Sequence, residues 1–252
     1  MSTGNNNRRP FRVILGLLLV VALIVALVVY GPGLLRSLRE GENLLPWPAE
    51  CTVQTAEGEV GLSRDEAKLA TTAVALGARG TETPDTSGID DAVLQRLAEG
   101  SPEDAGPSLI CRGAAASNLL EEQMTASGLT PRAEQVRAAM AEVFGELPLG
   151  GFTPGGFDYG HGEDSTHYDG RAIDVFFRPV TEENRRAGWR LAHWLIAHAD
   201  ELHIQYVIFD DRIWSAHSFR GQWRDYRAPE PANEILRHLD HVHVDVLGGG
   251  PE

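Results

Sequence analysis

The chain has 252 residues, of which 42% are hydrophobic and 23% charged, so it can build a sizeable core and differs from an intrinsically disordered protein. The formal net charge is −14, and the part after Glu40 carries 17 basic against 35 acidic residues, a formal charge of −18. A surface this acidic repels phosphate backbones, so the composition argues against a nucleic-acid-binding protein.

The first predicted element is a membrane span. Residues Val13 to Tyr30 are uncharged and almost entirely apolar, and at about 1.5 Å per residue such a helix is roughly 27 Å long, close to the thickness of the hydrocarbon core. Three arginines lie at positions 8–12, whereas the two at positions 36–42 are partly offset by glutamates. This asymmetry predicts a single-pass protein with its N-terminus inside and the rest of the chain extracytoplasmic.

A cleaved signal peptide is the alternative to this anchor. The apolar run is longer than a usual signal-peptide core, and the Tyr30 to Gly33 sequence is a poor cleavage site, so we favour a retained anchor at the cell membrane. The resulting organisation is a cytoplasmic tail (1–12), a transmembrane helix (13–30), a linker (31–50), a mostly helical extracytoplasmic region (51–145) and a C-terminal domain (146–250).

Two cysteines, Cys51 and Cys111, both lie in the predicted outer part, where an oxidising compartment permits a disulfide. No Cys-x-x-Cys spacing suggests a metal or redox role. We therefore favour a bridge over two unrelated buried thiols.

Helix-start signals dominate the region from 51 to 145. A capping box at Ser63–Glu66 predicts a helix to about Ala78, Ile89 to Leu97 predicts a short helix, and Thr130-Pro131 predicts the start of another. We find no catalytic constellation in this region.

The last hundred residues predict an α+β fold, in which a small, largely antiparallel sheet packs against helices. Thr181 caps a long helix that should run to about His203. The predicted strands are Ala172–Phe177, Gln205–Phe209, Arg212–Ser215 and His241–Val246.

The first candidate metal-binding segment runs from Ser165 to Asp174. A loop ending in His167, a turn at Gly170 and a strand carrying Asp174 could bring the imidazole and the carboxylate together. Both are normal ligands of zinc. The pair alone is weak evidence for a site.

The second candidate segment runs from Asp240 to Asp245 and alternates polar and apolar residues. On a strand, His241, His243 and Asp245 share one face while the intervening valines point to the core. One imidazole from this face, added to the earlier His and Asp, makes a three-ligand zinc site with an open position for water.

At these residues the sequence resembles the zinc D-alanyl-D-alanine carboxypeptidases and L-alanyl-D-glutamate endopeptidases of the wider lysostaphin and hedgehog superfamily. The resemblance lies in Ser-x-His-x-x-Gly-x-Ala-x-Asp followed by a late Asp-x-x-His, and it covers roughly Gly150 to Leu247. It implies that His167, Asp174 and His243 bind zinc.

The resemblance further implies that Asp240 is the general base. A regular strand would aim Asp240 away from His243, so this role requires the strand to begin after it. His241 is the rival base, because on a regular strand it shares the face of His243.

One departure from the family concerns an arginine that usually precedes the first His and stabilises the oxyanion or a substrate carboxylate. The matching stretch here, Gly150 to Gly155, has none. Either Arg171 or Arg212 substitutes for it, or transition-state stabilisation is reduced.

The resemblance and the predicted topology together lead to a membrane-anchored extracytoplasmic zinc metallopeptidase, a carboxypeptidase or an endopeptidase, that hydrolyses the stem peptides of peptidoglycan in the cell wall. The alternative is a non-catalytic module that retains the fold and binds the wall or a partner. The missing arginine and the helical region without a catalytic constellation motivate this alternative.

Overall fold

A computed structural model describes residues 49–100, 106–113, 115–157, 159–162 and 164–250. The predicted span at 13–30 and most of the predicted linker lie outside these ranges. Among the helices within them, none is both long and apolar enough to cross a bilayer.

The first sheet has three antiparallel strands in the order β2-β1-β3. These are β1 (Cys51–Gln54), β2 (Glu59–Leu62) and β3 (Leu109–Cys111). Cys51 lies directly opposite Cys111 in the β1–β3 register, and the two form the predicted disulfide. The strands themselves were not predicted, because alternation over three or four residues is too short to distinguish from a loop.

Four helices occur in the described ranges, namely α1 (Arg64–Ala78), α2 (Asp91–Glu99), α3 (Pro131–Phe144) and α4 (Glu182–Ala197). The predicted capping box is present, because the Ser63 hydroxyl accepts from the Glu66 amide and the Glu66 carboxylate accepts from the Ser63 amide. Thr130 and Thr181 cap α3 and α4. Helix α4 ends six residues earlier than expected, and the chain then forms a turn to His203, whose φ is +54°.

The second sheet has six strands, and every neighbouring pair is antiparallel, in the order β4-β5-β9-β6-β7-β8. The strands are β4 (Leu149–Gly150), β5 (Ala172–Phe176), β6 (Ile204–Phe209), β7 (Arg212–Ser215), β8 (Arg224–Asp225) and β9 (His241–Val246). All six residues of β9 are buried, as its place between β5 and β6 requires. The structure thus confirms a mixed fold of helices and antiparallel sheets.

Helix α4 packs against β6 and against α1. A Cβ atom on Gly188 would lie 2.3 Å from the Phe209 ring, so only glycine permits this approach of α4 to β6. On the side of α1, the Trp194 indole donates to the Thr72 hydroxyl at 3.1 Å. One hydrophobic core therefore includes residues from both the disulfide-linked sheet and the second sheet.

Candidate metal centre

The centre of the candidate site is one cross-strand pair. Asp174 on β5 lies opposite His243 on β9, and the His243 Nδ1 atom is 3.1 Å from Asp174 Oδ1. Both side chains are buried. Directly opposite residues on antiparallel strands are close enough for their side chains to share one ligand.

His167 reaches the same carboxylate from a tight turn. The Gly170 amide donates to the His167 carbonyl and the Arg171 amide to that of Thr166, and Gly170 has a φ of +66°, which favours glycine. This turn leads directly into β5. It places His167 Nε2 3.4 Å from Asp174 Oδ1.

One ligand atom from each of His167, Asp174 and His243 therefore lies within 4.8 Å of the others, and all three residues are buried. Such a cluster could hold a metal ion. The structure thus brings together the two segments that the sequence predicted to converge, although α4, β6, β7 and β8 lie between them in the chain.

Gly151 fixes the ring of His167. The His167 Nδ1 atom lies 2.6 Å from the Gly151 carbonyl, so this nitrogen carries the proton and Nε2 keeps its lone pair for a metal. Gly151 has a φ of +78°, and a Cβ atom there would lie 2.3 Å from His167 Cε1 and 2.9 Å from Asp174 Oδ2. This role of Gly151 was not predicted from the sequence, where the signal for it is the Gly-Gly pair at 150–151.

The second nitrogen of His243 faces a further carboxylate. Its Nε2 atom lies 3.9 Å from Asp245 Oδ2, while Asp245 Oδ1 accepts a 2.8 Å hydrogen bond from the Tyr206 amide. The carboxylate of Asp245 is thereby fixed by β6. The opposite ring nitrogen of His243, Nδ1, points toward Asp174.

The electrostatics of the cluster favour charged groups despite burial. Burial opposes ionisation of Asp174, but the adjacent His167 and His243 side chains hold its pKa well below its usual range. Burial likewise disfavours a charged His243, yet hydrogen bonding to Asp174 and Asp245 raises its pKa to about 9.

A second histidine of β9 faces the same carboxylate oxygen. His241 Nε2 lies 3.7 Å from Asp174 Oδ1, and His241 Nδ1 lies 2.8 Å from Asp240 Oδ1. Strand β9 begins at His241, after Asp240, as the predicted role of Asp240 requires. The Asp240 carboxylate, however, contacts His241 and not the cluster directly.

Arg178 holds the other oxygen of Asp240. Its Nε atom donates to Asp240 Oδ2 at 2.6 Å. Burial alone would raise the pKa of Asp240, but hydrogen bonds with His241 and Arg178 lower it. Asp240 therefore remains ionised and fixes the Nδ1–H tautomer of His241. Arg178 was not among the arginines that sequence analysis considered.

The two arginines considered from sequence make other contacts. Arg171 donates to the Gln205 side chain and to the Val246 carbonyl, both at 2.9 Å, and pairs with Asp169. Arg212 is exposed and pairs with Asp225. Neither residue contacts the three-residue cluster.

Two further imidazoles border the cluster. The His161 ring stacks on that of His167 with centroids 4.3 Å apart, and His238 lies 4.7 Å from His241 and 5.6 Å from His243. Burial, with His243 and His241 next in effect, lowers the pKa of His238 to about 3, so it is neutral. His238 was not predicted as a site residue, because it lies outside the regular strands, where periodicity gives no signal.

Comparison with known families gives one match. Residues 125–234 match the family described as VldE, C-terminal domain. The matched segment includes His167 and Asp174 and ends before β9. Neither the curated proteins nor the solved structures contain a match to this chain.

Proposed function

We propose that the cluster of His167, Asp174 and His243 is a zinc site. Its donors are two imidazole nitrogens and one carboxylate oxygen, a set that suits zinc well. The observation that carries the proposal is their convergence within 4.8 Å in a buried position. Gly151 supports it, because its carbonyl fixes the imidazole nitrogen of His167 that faces away from the cluster.

Zinc at this site would act as a Lewis acid on a substrate carbonyl and lower the pKa of a bound water. His241 would serve as the general base and take up a proton at Nε2, because that atom faces Asp174 while its Nδ1–H is held by Asp240. Asp240 then acts through His241 and keeps the imidazolium stabilised. This arrangement gives both candidate bases a role.

The reaction that this chemistry supports is hydrolysis of an amide bond. We infer a membrane-anchored, extracytoplasmic metallopeptidase acting on peptidoglycan stem peptides. The order of the two motifs and the predicted N-terminal anchor support this function. The disulfide is in keeping with an oxidising compartment.

The second candidate function is a non-catalytic module that binds the wall or a partner. The observation that favours it is the engagement of Arg171 and Arg212 with other groups, which leaves neither available to stabilise an oxyanion. Such a module would keep metal and would not cleave wall peptides.

The test uses the purified full-length protein. We expect about one zinc per chain by elemental analysis and cleavage of wall peptides detected by mass spectrometry. His167→Ala should abolish both, and His241→Gln should abolish cleavage while zinc remains. Stoichiometric zinc without cleavage of any wall fragment would support the binding module, and a chain that takes up no zinc would refute the metal site.

A further inference from the structure

Arg178 is the arginine that borders the candidate site. The Phe177 amide donates to the Asp240 carbonyl at 2.8 Å, which continues the β5–β9 pairing and sets Arg178 beside Asp240. The guanidinium carbon lies 4.1 Å from the centre of the Phe176 ring, and half of the side chain is exposed. The position of the charge is thus fixed by an ion pair and by an aromatic face.

Only part of the guanidinium is used within the protein. Its Nε atom donates to Asp240, and within the described part of the chain its terminal nitrogens donate no hydrogen bond. An arginine carries five N–H donors in a planar fork. The terminal donors of Arg178 are therefore available to a ligand.

Two grooves meet at Arg178. One, of about 480 Å³, has an apolar lining and one amide, and is formed by Pro148, Phe176, Phe177, Arg178 and Asn184. The other, of about 530 Å³, is formed by Arg178, Pro179, Val180, Glu234, Ile235 and Asp240. Arg178 thus lies between an aromatic groove and a groove that contains two carboxylates.

The geometry points to Arg178 as the residue that binds a carboxylate of a peptide substrate, with the adjoining apolar part of the peptide in the groove of Phe176 and Phe177. That the ligand is a peptide rests on the proposed peptidase function. It gives the site a preference for peptides with a free carboxylate over their amides.

Charge complementarity supports a carboxylate as the occupant. The chain after Glu40 has a formal charge of −18, so an anionic peptide is repelled by most of its surface and requires a local cation. Glu234 and Asp240 on the far side of Arg178 would repel a doubly charged group such as a phosphate more strongly. A singly charged carboxylate fits the fork of the guanidinium.

Binding through the terminal nitrogens leaves the bond from Arg178 Nε to Asp240 unchanged. The same residue would then select the substrate and keep Asp240 in contact with His241. Loss of Arg178 should therefore have two separable effects. Selectivity for a carboxylate should disappear, because the contact between the guanidinium and the substrate is lost. Proton transfer should also slow, because Asp240 is no longer held in place by Arg178.

The experiment measures binding of three peptides to the full-length protein by fluorescence anisotropy. The probes are the wall-type peptide Ala-D-Glu-Lys-D-Ala, the same peptide with a C-terminal amide, and the version with D-Gln in place of D-Glu. Binding is first measured in the presence of a chelator, so that no metal ion can bind a peptide carboxylate. The measurement is then repeated with one equivalent of zinc. The two altered peptides show whether the C-terminal or the side-chain carboxylate is bound.

We expect the free acid to bind about tenfold more tightly than one of the two amides. Arg178→Gln should abolish this preference while the affinity for that amide changes less than about twofold, and Arg178→Lys should keep part of it. Arg220→Gln removes the same charge from an exposed position and should keep the preference. An unchanged preference in Arg178→Gln, or an equal loss for all three peptides, would overturn the assignment.

Failure of the proposed function gives a different result. If no peptide is cleaved and the Arg178-dependent preference persists, the peptidase proposal is wrong and the carboxylate site stands. If cleavage occurs and Arg178→Gln lowers its rate equally for the acid and both amides, the peptidase proposal stands and Arg178 only positions Asp240.

Discussion

Two cross-strand pairs hold together distant parts of this chain by different means. In the first sheet, Cys51 and Cys111 lie opposite each other and are joined covalently. In the second sheet, Asp174 and His243 lie opposite each other and are joined by a hydrogen bond between charged groups. The first link is independent of protonation and metal, whereas the second depends on both. The link in the first region is therefore permanent, whereas the link in the second region changes with protonation and metal binding.

The largest expected effect is on the covalent link. Replacing both cysteines by serine removes a bridge that spans 60 residues of sequence, which should lower the free energy of unfolding by about 4 kcal/mol. Denaturant unfolding measures this loss. Because no ligand lies in the first sheet, the double variant should bind zinc with unchanged affinity under native conditions. A parallel loss of zinc affinity would show that the two regions are coupled.

The next effect concerns Gly151. Gly151→Ala places a Cβ atom against His167 and Asp174, so zinc affinity should fall by about 100-fold, as measured by competition with a chromophoric chelator. Gly155→Ala is the matched control. Its φ is +86°, close to the +78° of Gly151, but its Cβ atom would meet nothing within 4 Å.

Both glycine variants place alanine at a similar positive φ, so a difference between them isolates the contact with His167 and Asp174. Equal zinc affinities for the two variants would contradict the role of Gly151 as the support of His167.

A third effect concerns His193, which joins the two regions. It lies on α4, and its Nε2 atom accepts a 3.1 Å hydrogen bond from the Ser108 amide, next to β3. Burial lowers the pKa of His193 to about 3. Below about pH 6.5 the unfolded chain takes up a proton at this residue while the folded chain does not, so stability falls as pH falls.

Between pH 6.5 and 5 this loss should reach about 2 kcal/mol in the wild type. His193→Gln, which cannot be protonated, should show a correspondingly flatter dependence of the unfolding free energy on pH. Chelator is kept in both samples so that titration of the metal ligands does not differ between them. Parallel pH profiles for the two proteins would show that His193 is not buried in its neutral form.

The sequence was most informative where periodicity is regular. The alternation of β9 predicted that His241 and His243 share a face, and both reach Asp174 Oδ1. Helix caps at Ser63 and Thr130 were also predicted, because capping depends on neighbours three residues away. These features are local, so no knowledge of the tertiary structure was needed.

The residues that sequence analysis missed lie in irregular segments. Gly151 reaches the site because β4 pairs with β5, and Arg178 lies beside Asp240 because β5 pairs with β9, and no local pattern specifies these pairings. Arg171 and Arg212 were considered because they lie near the motifs in sequence. The sheet directs Arg171 toward Gln205 and Val246 instead.

The smallest expected effect compares one helix cap in each region. Ser63→Ala and Thr130→Ala each remove a hydroxyl that accepts from the first turn of a helix, so each should lower the free energy of unfolding by about 1 kcal/mol. Thr130 also contacts the turn that carries His167, but through its backbone amide, which donates to the Gly170 carbonyl at 2.8 Å and is kept in the variant. We therefore expect zinc affinity to be unchanged in both. A fall in zinc affinity in Thr130→Ala alone would mean that the site around Asp174 and His243 depends on the start of α3 as well as on Gly151.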